Sequence, residues 1–489
     1  MRTLADRRSS GPRNVVILAA AAALLAVVVL VPPPASLLSV VHQAGDAAGG
    51  APRYPASAAS GRPAMAALGV LAFCLVLWVT EAIPFHITGL LALALLTLLR
   101  VGGYKEIVAV GFGNDIVVFF IGVLVIGAFI TRSGLGRRIS ALVLSVTGND
   151  TRLILLGFLA AGTLVSMWIT DMAVAAMLMP LARAILVQEG CRPKESNFGR
   201  GLMIAVAWGA LIGGIATPAG TGSNPIALQF LSTMAGIHLT FLDWMGFGVP
   251  AALLLVLPSW GILLLFFPPE MKRLKVSREE LRRRLSDMPP MGREEWLTLG
   301  VFVLTVAAWI ASPFLEKPLG MAVEISLPAL IAMCIFFLPL ASGARWKDIE
   351  GEVDWAGILM IVSGISLGNY LYRTGVAPLA MQVFLVTLGV CLLKVVFSSN
   401  TVTATILIPL IIGLGRSTGS NVTAIALAAG LTSSLAFILV TSTPTNVIPF
   451  NAGYFTIGDM ARAGLVLTLV AAVAVTVVFV AVGTLRGML

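Results

Sequence analysis

The chain has 489 residues, 58% of them hydrophobic and only 11% charged, with a mean hydropathy of +0.98. A soluble domain could not keep that much apolar surface from water, and apolar runs of about 17–25 residues recur, the length that crosses a bilayer as a helix. The formal charge of +9 is gathered in a few clusters, which suits the orientation of a membrane protein and argues against nucleic-acid binding.

The basic start "MRTLADRRSSGPR" precedes an apolar segment at 14–32 whose core is long for a secretory signal, so a retained first transmembrane helix is expected. Residues 1–64 then comprise an N-terminal tail, that helix and an external loop. The stretch 65–267 predicts helices at 65–81, 86–100, 114–131, 199–217 and 245–267. Inside it, 152–186 is apolar, then polar, then apolar, which reads as a hairpin, and 199–235 reads as a broken helix. The charged run 268–296 looks like a partly helical cytosolic linker between two halves of similar size. The stretch 297–489 predicts helices at 297–312, 325–341, 355–372, 421–441 and 463–485, a hairpin at 376–415 and a broken helix over 421–456. Basic clusters at Met1–Arg13, Arg132–Arg138, Arg183–Arg200 and in the linker place the N-terminus and the linker in the cytoplasm of a multi-pass plasma (inner) membrane protein.

The two halves resemble each other. "SMWITDMAVAAMLMPL" (Ser166–Leu181) aligns with "VVFSSNTVTATILIPL" (Val395–Leu410), setting Thr170 on Ser399, Asp171 on Asn400 and Met172 on Thr401. A second polar break follows each hairpin, "GGIATPAGTGSNPI" and then "LVTSTPTNVI", with Asn224 lying 53 positions after Asp171 and Asn446 lying 46 after Asn400. Five full spans per copy would bring the second copy into the membrane from the other side. That is an inverted repeat, whose paired interruptions point to a binding site near the midplane.

Backbone that leaves a helix inside a membrane must be covered by protein or used by a ligand. Gly213, Gly214, Gly220 and Gly222 supply permissive backbone, Pro218 and Pro444 stop helices, and Asn224 and Asn446 mark the breaks. Ser, Thr and Asn oxygens with freed carbonyls suit a sodium ion, while their donors and half-helix N-termini suit an anion. Interhelical hydrogen bonding would explain one such break; four of them, paired by repeat, favour a site. The cysteines, Cys74, Cys191, Cys334 and Cys391, lack metal-ligand spacing and are expected as free thiols. Three histidines and no nucleophile–base or metal constellation argue against an enzyme, and no organic cofactor is expected.

From about residue 65 to the end, the chain resembles the divalent anion/sodium symporter family, carriers of dicarboxylates, citrate and in some members sulfate. The marks are "VLWVTEAIP", "FITRSGLGRR", the hairpin tip before "AAMLMP", "GTGSNPI", the Ser399-Asn400-Thr401 tip and "TSTPTNVIPF". The resemblance implies an all-α polytopic homodimer with about eleven transmembrane helices and two re-entrant hairpins per chain, working as an elevator. It implies a first sodium site at Ser166, Thr170, Asp171 and the Gly220 backbone, and a second at Ser398, Asn400 and the Ser442 backbone. The substrate would meet the two tips at Asp171, Asn400 and Thr401, with Thr221, Thr443 and Pro444 nearby.

The family pattern is Ser-Asn-Thr at both tips, and here the first reads Thr170-Asp171-Met172. Met172 removes a hydroxyl. An ionised Asp171 would hold a cation and repel an anion, whereas a protonated one would donate to the anion and make coupling proton-dependent. A permanent sodium ligand is the plainer of the two. Lys394 reads as a snorkelling or ion-paired side chain, and Glu81 as a helix-end cap. The leading expectation is a sodium-coupled symporter of C4-dicarboxylates. The alternatives are a sulfate-like, proton-coupled or exchange carrier on the same scaffold and, more distantly, an anion channel.

Overall fold

The computed structural model describes residues 12–33, 61–80, 82–136, 138, 149–274, 289–321, 323–339, 344–373, 399–418 and 422–485. Glu81, Cys391, Lys394, Ser398, about half of the expected linker and most of the expected second hairpin lie outside them. The described residues are helical, with one isolated antiparallel bridge between Asp150 and Arg273. They fall into two compact units, one drawn from Met1–Val117, Ile226–Ile237 and Trp355–Ala429, the other from Val118–Pro225, His238–Asp354 and Gly430–Leu489.

The first unit holds α1 (Pro12–Leu30), α2 (Arg62–Thr80), α3 (Phe85–Leu98) and α4 (Tyr104–Phe112), and the start of α5 (Asp115–Ser133). Helix α4 was not expected from the sequence. It is a nine-residue helix set between Gly103 and Gly113, too short to register as a span, and Asn114 restarts the chain by accepting the Ile116 N–H at 3.0 Å. The core here runs through Leu77, Trp78, Ala92, Leu96, Leu367 and Ile406. Trp78 closes the turn after α2 by donating to the Phe85 carbonyl at 3.1 Å.

The second unit contains α6 (Thr151–Ser166), α7 (Asp171–Gln188), α8 (Asn197–Gly214), α9 (Ser223–Phe230, whose last five residues belong to the first unit) and α10 (Phe241–Phe266). It also contains α11 (Arg293–Leu319) and α12 (Ser326–Phe336); the chain then returns to the first unit for α13 (Trp355–Arg373), α14 (Asn400–Thr418) and most of α15 (Val422–Thr432). Helices α16 (Pro444–Phe450) and α17 (Ile457–Leu485) complete the second unit. Helix α8 is buried on nearly every side, as expected of a helix apolar all round, and packs on α6, α7, α10 and α16. Its approach to α6 is set by small residues: a Cβ on Gly213 would stand 2.2 Å from the Thr163 carbonyl oxygen, and one on Gly209 2.8 Å from that of Leu159. Where lipid offers no hydrophobic drive, such close backbone contact is what holds helices together. Phe241 stacks on Trp309 with ring centroids 4.5 Å apart, and Trp309 donates to the Ile325 carbonyl at 2.8 Å.

Among the described residues, five helical stretches are long and apolar enough to cross a membrane by length and composition: Tyr104–Ser133, Asp171–Gln188, Phe241–Phe266, Arg293–Ser312 and Ile457–Val475. On α17, Leu465, Leu469, Val473 and Val477 are all more than half exposed at four-residue spacing, an apolar row of the kind lipid covers. Two predicted helices are corrected. The helix expected to reach residue 341 ends at Phe336, and the one expected over 421–441 ends at Thr432. "LAFILV" carries no breaker in its own sequence, but two of its carbonyls, those of Ala436 and Leu439, are taken by a side chain several residues downstream.

Candidate functional site

The break after α8 leaves a set of backbone carbonyls without helical partners, and several of them are answered by named groups. Asn224 Nδ2 donates to the Gly214 carbonyl at 2.8 Å and to that of Thr217 at 2.7 Å. Trp244 on α10 donates to the Ile215 carbonyl at 3.0 Å, and α10 comes this near because Gly248 has no Cβ, which would lie 2.5 Å from that oxygen. The Thr217 hydroxyl bonds the Met167 carbonyl and receives the Ala219 N–H at 3.2 Å. Buried backbone in a membrane requires this accounting, because water cannot supply the missing partners.

The break before α16 has the same construction. Asn446 Nδ2 donates to the Ala436 carbonyl at 2.7 Å and to that of Leu439 at 3.0 Å, again ten and seven residues back. The Gly220 N–H bonds the Thr217 carbonyl and the Ser442 N–H that of Leu439, at 3.3 and 3.2 Å. A glycine of a neighbouring helix, here Gly464 on α17, gives the Phe437 carbonyl room, as Gly248 does for Ile215. The two breaks also touch, through a hydrogen bond between the buried hydroxyls of Ser223 and Ser434.

The first tip closes on the first break. Ser166 ends α6, Met167–Thr170 turn, and Asp171 opens α7 with its N–H donating to the Gly220 carbonyl at 3.1 Å. A Cβ on Gly220 would fall 2.7 Å from the Ser166 carbonyl and 2.5 Å from that of Gly214, and one on Gly214 would touch Asp171 and Thr221. Ser166, Asp171, Gly220 and Thr221 are thus gathered around the glycines of one break, with Thr170 directly before α7. Asp171 is 7% exposed and Thr221 3%. One carboxylate oxygen of Asp171 accepts the Met172 N–H at 2.9 Å, at the positive end of the α7 dipole. Ser166 Oγ is buried and has no hydrogen-bond partner among the described residues. A buried hydroxyl, backbone carbonyls and one carboxylate are hard oxygen donors of the kind an alkali cation takes.

Thr443, Pro444 and Asn446 sit at the start of α16, which packs on α7 and α8. Thr443 Oγ1 accepts the Thr445 N–H at 3.4 Å, and Ser442 and Thr443 are buried while Pro444 is exposed. Asn400 and Thr401 begin α14 in the first unit, where the Ser399 carbonyl accepts the Thr403 N–H at 3.2 Å. Asn400 is 6% exposed. Sequence reasoning missed Thr217, Trp244 and the Ser223–Ser434 pair. The two serines carry no signal beyond being polar in apolar surroundings, and Trp244 carries none at all.

Comparison with known proteins shows what the chain is similar to. The model of the sodium:sulfate symporter transmembrane region matches residues 54–489. The sodium-dependent dicarboxylate transporter SdcS of Staphylococcus saprophyticus is 29% identical over 431 residues, covering 82% of both chains. An uncharacterized transporter of Haemophilus influenzae is 29% identical over 427 residues, covering 83% of this chain and 89% of that one. A crystal structure of the Alcanivorax borkumensis YdaH transporter overlaps 78% of this chain and 88% of its own, at 16% identity and a TM-score of 0.48, too slight a likeness to bear on the fold. With the family model spanning all but the first 53 residues, and its match running through both breaks and both tips, the chain belongs to the sodium:sulfate symporter family, the divalent anion/sodium symporters, and is an integral membrane transporter.

Proposed function

We propose that this protein is a sodium-coupled symporter of small divalent anions, C4-dicarboxylates above all, working by elevator-type alternating access as a homodimer in the plasma (inner) membrane. In this reading its N-terminus and linker face the cytoplasm, and residues 65–267 and 297–489 are two inverted repeats. The observation that carries the reading is the closure of the Asp171 N–H on the Gly220 carbonyl. It unites a hairpin tip with a helix break around neutral oxygens and one carboxylate. Ser166, Thr170, Asp171 and Gly220 hold one sodium ion. Ser398, Asn400 and Ser442 hold a second, and Asp171, Thr221, Asn400, Thr401, Thr443 and Pro444 meet the anion. That the Staphylococcus saprophyticus relative is a sodium-dependent dicarboxylate transporter supports dicarboxylate over other anions.

Purified protein in sealed proteoliposomes tests this. Under an inward sodium gradient, labelled succinate should accumulate saturably above its external concentration, and replacing sodium with choline should abolish the uptake. Malate and fumarate should compete, sulfate and citrate weakly. Competition by sulfate alone would favour an inorganic-anion carrier, which the missing hydroxyl at Met172 makes the second reading. Large sodium-independent currents would mean a channel.

A further inference from the structure

The two asparagines at the breaks do the same work with the same atoms. Asn224 and Asn446 are each 0% exposed, and each spends both amide protons on two carbonyls of its own break, ten and seven residues back. One side chain thereby fixes the broken backbone that leads into its own helix. That backbone carries Gly220 and Thr221 in one case and Ser442 and Thr443 in the other. The direction of each amide is settled by what it bonds: two carbonyls can be answered only by an NH2 group. Its Oδ1 has no partner among the described residues in either copy.

We propose that Asn224 and Asn446 are paired positioning residues of the transport site, staples that hold the Gly220 and Ser442 backbone where an ion can use it without themselves touching the ion. The proposal rests on the symporter reading. The same two spacings in both halves carry it, since a residue that merely filled space would have no reason to repeat them. The Ser223–Ser434 hydrogen bond ties one stapled loop to the other.

The decisive substitution is Asn→Asp, which keeps the shape and the oxygen but deletes both donors when ionised and one of the two when protonated. The full chain in lipid nanodiscs, as wild type, N224A, N224D, N446A and N446D, would be followed by amide exchange and by sodium titration of the thermal midpoint. Each Ala and Asp variant should exchange roughly tenfold faster in its own loop, 215–221 or 437–443, and need roughly tenfold more sodium for half its stabilisation. Asp variants that bind sodium as tightly as wild type while Ala variants do not would make Oδ1 a ligand and overturn the proposal. Faster exchange with an unchanged sodium midpoint would overturn it too, leaving only a structural role. A wild type indifferent to sodium would defeat the symporter reading instead, and the exchange arm would still decide whether the loops are stapled. If the Ala and Asp forms fail to fold, N224Q and N446Q, which keep the donors on a longer arm, should show intermediate shifts; wild-type behaviour in them would refute the staple.

Discussion

Asp171 shows how far a single residue could be read. Its place at a polar tip was legible because an acid in an apolar chain stands out, and its partner Asn400 came from aligning the two halves. Its bonds were not legible, since Gly220 lies far along the chain and nothing local announces that its carbonyl will accept the Asp171 N–H. One carboxylate oxygen of Asp171 is held by the Met172 N–H at a helix N-terminus, and in the function proposed above the group is a sodium ligand. Asp171→Asn should therefore weaken apparent sodium affinity by roughly tenfold, as loss of one charge-assisted contact does. Sodium-driven uptake measured from pH 5.5 to 8.5 should keep the same pH profile in both proteins. A profile that flattens in the variant would mean that Asp171 carries a proton.

At the scale of the element, composition gave the helices and long-range side chains gave their ends. "LAFILV" has every local property of a helix, yet it is held out of one by Asn446, which takes the Ala436 and Leu439 carbonyls. Helix α4 was lost for the opposite reason, being nine residues long between glycines. Packing at element scale gives a paired prediction. Gly→Ala inside a helix ordinarily stabilises by about 0.5–1 kcal/mol, and Gly261 on α10 has open space around its would-be Cβ. At Gly213 that carbon would meet the Thr163 carbonyl at 2.2 Å, so Gly213→Ala should cost about 1–3 kcal/mol. Thermal midpoints in lipid should move in opposite directions for the two variants. The N-terminus of α8 supplies a pH test outside the membrane span. Partial burial pushes the Glu270 carboxyl up, but hydrogen bonds from Ser196 Oγ and the backbone N–H groups of Phe198 and Asn197 outweigh it and hold the group below the usual carboxylate range. A carboxyl depressed on folding lends stability that is complete above its unfolded value and fades as pH drops through its folded one. Melting curves of Glu270→Gln should lie below wild type at pH 7 and converge with it toward pH 3.

Across the whole molecule, the sequence made the membrane class plain because composition alone forces it, and the family match agrees. The detailed site was less legible because its parts come from segments far apart along the chain. The matched breaks have one more consequence, for the lengths the chain can bear. The distance from tip to break differs between the halves, 53 residues from Asp171 to Asn224 against 46 from Asn400 to Asn446, whereas the asparagine spacings within each break are the same. Loop length has therefore been free to drift outside the break and pinned inside it, as a fixed rung on a ladder of adjustable rails. Two alanines inserted after Pro193, in the turn between α7 and α8, should leave uptake within about twofold of wild type, since each doubling of loop length costs little. The same two residues inserted after Pro218 would carry the Gly214 and Thr217 carbonyls out of reach of a side chain only one methylene long, and transport should disappear.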